Sequence, residues 1–319
     1  MPLRFGVLGP GSIADHFLAP AIARVRGAEL WSVCSRDAGR ARAFAARHGA
    51  KSPSPAFDDE AAFLADPKLD VVLVATPDRL HASQAIAAAR AGKHVLVEKP
   101  MATSAAEARA MVEACGAANV KLGVAYHLRH HGGHEVLARA VHEGALGEVR
   151  HARVLWAYKA RDASNWRARE DVGRWWALAG VGTHCVDLAR WLLVPRAGEV
   201  TEVRAVTSRS VFGGPHEETA VAALRFASGA TAEIVASVLF DATSAVDVFG
   251  DAASASAEGT LGPHGRGRLR IRGAEVGFPH QDPYAREIAD FVAAVEQDRA
   301  PEVDGHEGLR NVEILEQIA

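Results

Sequence analysis

Lysine, cysteine, tyrosine and methionine are scarce in this 319-residue chain, and long apolar runs are missing. The three cysteines, Cys34, Cys115 and Cys185, have neither metal-ligand nor redox spacing, which leaves no disulfide framework or zinc motif. They read as isolated apolar thiols suited to a reducing cytoplasm. No run approaches the roughly 20 apolar residues that a membrane helix needs. The opening MPLRFGVLG enters a strand-like run directly, without the apolar stretch and cleavage site of a secretory leader. A cytoplasmic protein is expected. Net charge is only −3, so there is no general reason to bind nucleic acid or an anionic membrane. Repeats, low-complexity segments and an obvious linker are also lacking. Of 36 basic residues only six are lysines, at 51, 68, 93, 99, 121 and 159, so Lys99, at the end of an apolar strand, calls for a reason.

Hydrophobic content of 49% with 24% charge is ordinary globular composition, and the length suits two domains with separate cores. Up to residue 125, strand-like runs (3–9, 28–35, 70–76, 93–98, 120–126) alternate with alanine-rich helical patterns (13–25, 38–48, 80–91, 104–117). Strands apolar on both faces and separated by helices predict a parallel sheet covered on both sides. After 125 the pattern changes. A helix near 134–142 precedes strand runs at 148–160, 199–211, 218–240 and 244–259, with a further helix at 182–193 and a hairpin turn at Ser228-Gly229. Consecutive strands joined by turns predict a mostly antiparallel sheet. The chain from Tyr284 onward returns to helix. The expected fold is α/β, with a parallel-sheet domain over 1–125 and an α+β domain with a large open sheet over 126–319.

The first strand runs into Gly9-Pro10-Gly11-Ser12-Ile13-Ala14, a G-x-G-x-x-A at a strand-to-helix junction. Gly9 permits the tight turn, Gly11 lets backbone approach a pyrophosphate, and Ala14 allows close helix–strand packing. Ser12 and Ile13 lead into a helix whose N-terminus offers oriented amides. A Rossmann site for a dinucleotide is predicted. The second strand ends at Ser35-Arg36, with Asp37 arriving late. A free ribose 2′-hydroxyl usually meets an acid there, whereas a 2′-phosphate takes a hydroxyl and an arginine. NADP(H) is therefore preferred and NAD(H) is the alternative. In the alternative, Arg36 only stacks over adenine.

HVLVEKP at 94–100 ends a buried strand in Glu98-Lys99-Pro100. Charges there are costly unless solvated or used. Ligands of an open α/β sheet bind outside the carboxyl ends of its strands, where Gly9–Gly11, Thr76-Pro77 and Glu98-Lys99 all fall. The glycine turn, ATPDRLHASQAIAAARAGKHVLVEKP (75–100) with His81, VAYHLRHH (124–131), GALGEV (144–149), GTHCVDLARWL (182–192) and the C-terminal FVAAVEQDRAPEVDGHEGLRNVEILEQI together resemble the glucose–fructose oxidoreductase / inositol dehydrogenase / rhizopine-catabolism (Gfo/Idh/MocA) family over essentially the full length.

That resemblance implies an NAD(P)-dependent oxidoreductase acting on a sugar, a sugar derivative or another small hydroxy or carbonyl compound. It makes Lys99 the catalytic and substrate-binding lysine, sets Glu98 near the nicotinamide ribose, and gives Thr76, Pro77 and His81 to the cofactor site. It assigns proton transfer to His184, at the start of a helix facing the crevice. Asp187, three residues on and on the same helix face, is expected to hold the imidazole. Tyr126, His127 and Arg129 border the substrate pocket, with Trp166-Arg167 as a further rim. The histidines at 127, 130, 131 and 134 have a spacing that could put several on one helix face as metal ligands, but Gly132-Gly133 should interrupt a helix there and no metal set is expected.

One departure stands out. The family writes D-x-G-x-H where this chain has Gly180-Val181-Gly182-Thr183-His184. Either Asp187 compensates or Lys99 acts alone in carbonyl reduction. Trp175 and Trp176 just upstream are either substrate contacts or core. Two other functions remain open on this fold: redox-neutral glycoside hydrolysis, and cofactor sensing without catalysis. The resemblance further implies a homodimer or homotetramer formed through the open face of the second sheet.

Overall fold

The computed structural model describes residues 1–169 and 173–319. Its strands are β1 Leu3–Leu8, β2 Ala28–Cys34, β3 Ala56–Phe57, β4 Val71–Val74, β5 His94–Glu98, β6 Leu122–Ala125, β7 Val149–Ala157, β8 Val200–Ser208, β9 Thr219–Phe226, β10 Thr231–Ser237, β11 Ala245–Gly250, β12 Ser254–Glu258, β13 Arg268–Ile271 and β14 Ala274–Glu275. Its helices are α1 Ala19–Arg24, α2 Ala38–His48, α3 Glu60–Leu64, α4 His81–Arg90, α5 Ala105–Ala117, α6 Gly132–His142, α7 Thr183–Ala197, α8 Pro283–Glu296 and α9 Gly305–Ile318. None of the described helices is long and apolar enough to cross a membrane.

The first sheet is parallel, in the order β3-β2-β1-β4-β5-β6. The order reverses between β1 and β4, which opens a crevice at their carboxyl ends. All four residues of β4 are buried, as a strand covered on both faces requires. The helices start where side chains cap them. Asp37 accepts from the Arg40 amide at α2, Asp59 from Ala62 at α3, and Ser104 from Glu107 at α5. Glu107 also accepts from the Thr103 amide. The strand β3 is absent from the sequence reading. Two residues among prolines and acids carry no periodic signal, and pairing with Val33 and Cys34 alone makes them a strand.

The second sheet runs β14-β13-β12-β11-β7-β10-β9-β8, antiparallel except where β10 pairs parallel with β7. The predicted run 244–259 is two strands, β11 and β12, paired as a hairpin. The expectation that Gly132-Gly133 break a helix is corrected, since both lie in the first turn of α6. The His131 ring accepts from the Gly133 amide, and a Cβ on Gly132 would strike the Pro279 carbonyl. Close approach, not flexibility, calls for these glycines.

The chain divides into two compact units, one of Met1–Ala125 with Tyr284–Val312, the other of Tyr126–Pro283 with Glu313–Ala319. The single C-terminal domain expected over 126–319 is thereby corrected. Tyr284, Ile288, Phe291 and Val292 of α8 are buried in the core of the first unit with Phe5, Val7 and Leu30. Phe291 meets the Phe5 ring edge-on at 6.5 Å, and Tyr284 stacks on Phe17 at 5.0 Å.

Candidate active site

In the first unit, Gly9 has φ +92°, and a Cβ there would lie 2.7 Å from Thr76 Cγ2 and 2.8 Å from the Ala75 carbonyl. Glycine is required both by the backbone and by the close approach of the next loop. A Cβ on Gly11, by contrast, would meet nothing within 4 Å among the described residues. Gly11 and Ser12 are exposed, so this turn presents bare backbone to an open side and fits the approach of a dinucleotide pyrophosphate. After β2, the Ser35 hydroxyl accepts from the Asp37 amide at 3.3 Å and Arg36 is exposed. Asp37 is exposed and caps α2. Its Oδ1 accepts from the Arg40 amide at 3.0 Å, a bond that holds its carboxyl below the usual range.

Behind these loops, His81 is fully buried, with Nδ1 2.9 Å from the Pro100 carbonyl and Nε2 2.9 Å from the Thr76 carbonyl. It braces the loops after β4 and β5 against each other. The Thr76 hydroxyl donates to Gln84, whose amide donates to Glu60, so this loop too is fixed from behind. Glu98 is buried and its carboxylate accepts from the Lys99 amide at 3.1 Å. Lys99 is half-buried and joined to Pro100 by a cis peptide.

In the second unit, His184 is buried among rings: His127 at 5.0 Å, Trp156 at 5.3 Å and Tyr126 at 5.7 Å. The Tyr126 hydroxyl pairs with that of Thr183. Asp187, expected at the imidazole, turns both carboxylate oxygens on Arg129. Nε lies 3.0 and 3.1 Å from them and Nη2 lies 2.7 Å from Oδ1. A guanidinium sealed from water needs a full countercharge. Arg129, placed by the sequence on the pocket border, is thus part of a buried ion pair.

The remaining histidines stitch the 127–134 segment to the 260–266 segment. His127 Nε2 lies 3.3 Å from the Gly262 carbonyl and His131 Nε2 lies 3.0 Å from that of Arg266. His134 Nε2 is 2.8 Å from the Thr260 hydroxyl, and burial takes its pKa down to about 3. Among the described residues, no group of three or more His, Cys, Asp or Glu is arranged to hold a metal ion. The Arg167 guanidinium stacks on the exposed Trp166 ring at 4.0 Å. Trp175 and Trp176 are both buried, and Trp176 packs with Tyr158 and Phe212.

Three participants escaped the sequence reading. Trp156 lies in alternation with buried Ala152 and Val154 along β7, and Tyr158 follows just beyond the strand's end. The period-2 pattern of 148–160 contained that signal, but nothing marked the face as functional. Glu217 gave no signal. Its Oε1 accepts from the Trp176 and Leu178 amides at 3.1 and 2.8 Å, at the start of the helical segment leading to His184, and burial pushes its carboxyl up to about 7. The three thiols are buried, and burial drives those of Cys34 and Cys185 up to about 12 and that of Cys115 to about 11.

A family model described as "Oxidoreductase family, NAD-binding Rossmann fold" matches residues 3–126, and one described as "GFO/IDH/MocA C-terminal domain" matches residues 134–256. The chain is 30% identical over 312 residues to the 1,5-anhydro-D-fructose reductase of Ensifer adhaerens, covering 96% of this chain and 92% of that protein. It is also 30% identical to D-xylose 1-dehydrogenase (NADP(+)) 2 of Haloferax volcanii, covering 99% and 96%. Among solved structures, aldose-aldose oxidoreductase from Caulobacter crescentus, complexed with glycerol, superposes with a TM-score of 0.93 at 26% identity, covering 100% of this chain and 96% of that one.

Proposed function

Because the chain belongs to the GFO/IDH/MocA family and is an NAD(P)-dependent oxidoreductase, we propose that it interconverts a hydroxyl and a carbonyl on a sugar or sugar derivative, with NADP(H) preferred. The observation that carries the cofactor preference is the end of β2. Ser35 offers a hydroxyl and Arg36 an exposed guanidinium, while the Asp37 carboxylate is engaged in capping α2. That set suits a 2′-phosphate better than a free 2′-hydroxyl.

The nicotinamide, when bound, supplies the hydride chemistry. In the oxidising direction His184 takes the proton of the substrate hydroxyl, and the Lys99 ammonium stabilises the oxygen as negative charge gathers on it. In the reducing direction the same imidazole returns the proton and Lys99 polarises the carbonyl. The rings of Tyr126, His127 and Trp156 limit how the His184 imidazole turns. The capped Glu98 carboxylate fixes the backbone from which Lys99 projects. Buried free thiols agree with work in a reducing cytoplasm.

We also assign the open face of the second sheet to contact with a second copy of the chain. Val206, Val221, Val235, Leu155 and Ala245 stand in register across β8, β9, β10, β7 and β11, and Val206 and Val221 are 76% and 42% exposed.

Parallel fluorescence titrations with NADPH and NADH test the cofactor reading. Wild type should bind NADPH about tenfold more tightly, and Arg36→Ala should erase that margin while leaving NADH nearly unchanged. Equal losses for both cofactors would refute it. Lys99→Met and His184→Asn should still bind NADPH, yet turn over any sugar that wild type accepts at least about 100-fold more slowly.

A further inference from the structure

His81 is the first residue of α4 and is fully buried, and both of its ring nitrogens meet backbone carbonyl oxygens. Nδ1 lies 2.9 Å from that of Pro100 and Nε2 lies 2.9 Å from that of Thr76. A carbonyl oxygen only accepts, so each contact needs a hydrogen on the nitrogen that faces it. A neutral imidazole carries one. Its bare nitrogen would then set a lone pair against an oxygen lone pair, away from any water that could relieve it. Turning the ring over exchanges each nitrogen for a carbon and gives up both bonds.

Two other buried histidines are built differently. His131 accepts from the Gly133 amide at Nδ1 and faces the Arg266 carbonyl with Nε2. His134 faces the Leu128 carbonyl with Nδ1 and the Thr260 hydroxyl, which can donate, with Nε2. One hydrogen per ring satisfies each of them, and burial lowers the pKa of both. The two partners of His81 offer no such donor.

Burial and the positive end of α4 both oppose a charge at His81. Against them stand two charge-assisted bonds to fixed carbonyl dipoles. The buried side chains of Asp78 and Glu98, on the same two segments, bring negative charge, and half-buried Lys99 brings a like charge. Both segments are otherwise anchored, Thr76 through its hydroxyl to Gln84 and Lys99 through its amide to Glu98. His81 is what joins one to the other.

We infer that His81 is an imidazolium donating from both ring nitrogens, and that this cation is a positioning residue. It ties the Thr76 loop to the Pro100 loop and so sets where Lys99 stands beside Thr76. The charge state follows from the geometry, while its use in placing Lys99 for hydride transfer rests on the oxidoreductase reading.

Protein grown on histidine labelled at the ring nitrogens shows by nuclear magnetic resonance how many nitrogens of each ring carry hydrogen. The spectrum is taken at about pH 7.5, where an unconstrained histidine is mostly neutral. His81→Gln and His81→Phe identify the His81 signals. Both of its nitrogens should be protonated, whereas His131 and His134 should each show one. A bare nitrogen on the His81 ring would overturn the proposal. So would a wild-type spectrum with no doubly protonated ring, a result that needs neither variant to fold.

Lysine labelled at the amide nitrogen gives six backbone resonances, with Lys99 assigned by Lys99→Met. In both His81 variants the Lys99 resonance should be displaced, while those of Lys51 and Lys121, elsewhere in the same unit, stay in place. The variants should still bind NADPH within about threefold of wild type, since the glycine turn and Ser35-Arg36 are untouched. A Lys99 resonance left where it was, or displaced together with all the others, would refute the positioning. Wild type that fails to bind NADPH would count against the oxidoreductase reading instead, whatever the His81 ring shows.

Discussion

Arg129 and Asp187 hold each other in a place almost sealed from water, with side chains 3% and 1% exposed. A pair of this kind stabilises little beyond an apolar equivalent, but removing one partner strands the other charge. Asp187→Asn should therefore lower stability by on the order of 3 kcal/mol, seen as a reduced urea midpoint at unchanged slope. An unchanged midpoint would mean that water or another group meets the guanidinium. The pair also marks where sequence reasoning stops. Asp187 looks like the partner of His184 because three residues on a helix share a face, whereas Arg129 lies 58 positions away and no periodicity joins them. Gly9 is legible for the opposite reason, because its requirement is local: a turn, a positive φ and a neighbouring strand end. His81 falls between. Its motif is readable, but its work as a brace between two carbonyls appears only once both loops are in place.

The helical segment that leads into α7 begins on a carboxyl group borrowed from another part of the chain. Glu217 is buried, and its carboxyl rises from an ordinary 4.5 to about 7. Below about pH 4.5 it is protonated in folded and unfolded states alike. Between there and about 7 the unfolded chain gives up the proton while the fold keeps it, so the stability drawn from this group is complete at acid pH and is lost as pH rises. Wild type should accordingly lose on the order of 3 kcal/mol relative to Glu217→Gln between pH 4.5 and 7.5. Thermal melts across that range check it, and parallel curves for the two proteins would refute it. Elements with internal periodicity, such as β4, α2 and the alternating β9, were readable in advance. Those made by a distant partner, β3 and the cap on this helix, were not. Gly132-Gly133 misled because glycine is read as freedom, when here it answers to the Pro279 backbone pressed against it.

Across the whole molecule, the apolar row from Val206 to Ala245 should place two or four copies of the 33.8 kDa chain in one particle. Val221→Glu, at the second position of that row, should halve the mass found by light scattering without abolishing NADPH binding. A wild-type monomer at tens of micromolar would rule the assignment out. The connectivity of the two units has a different consequence. The chain leaves the first unit after Ala125, re-enters it at Tyr284 and leaves again after Val312. The stretch 126–283 is thus written as an insertion, with seven terminal residues, 313–319, as its return. Exchanging the second unit between relatives takes two cuts and an internal cassette, because a single splice after 125 would carry α8 away with it and strip Ile288 and Phe291 from the core of the first unit. In the grammar of the gene, the second unit is the parenthesis and the first unit the sentence around it.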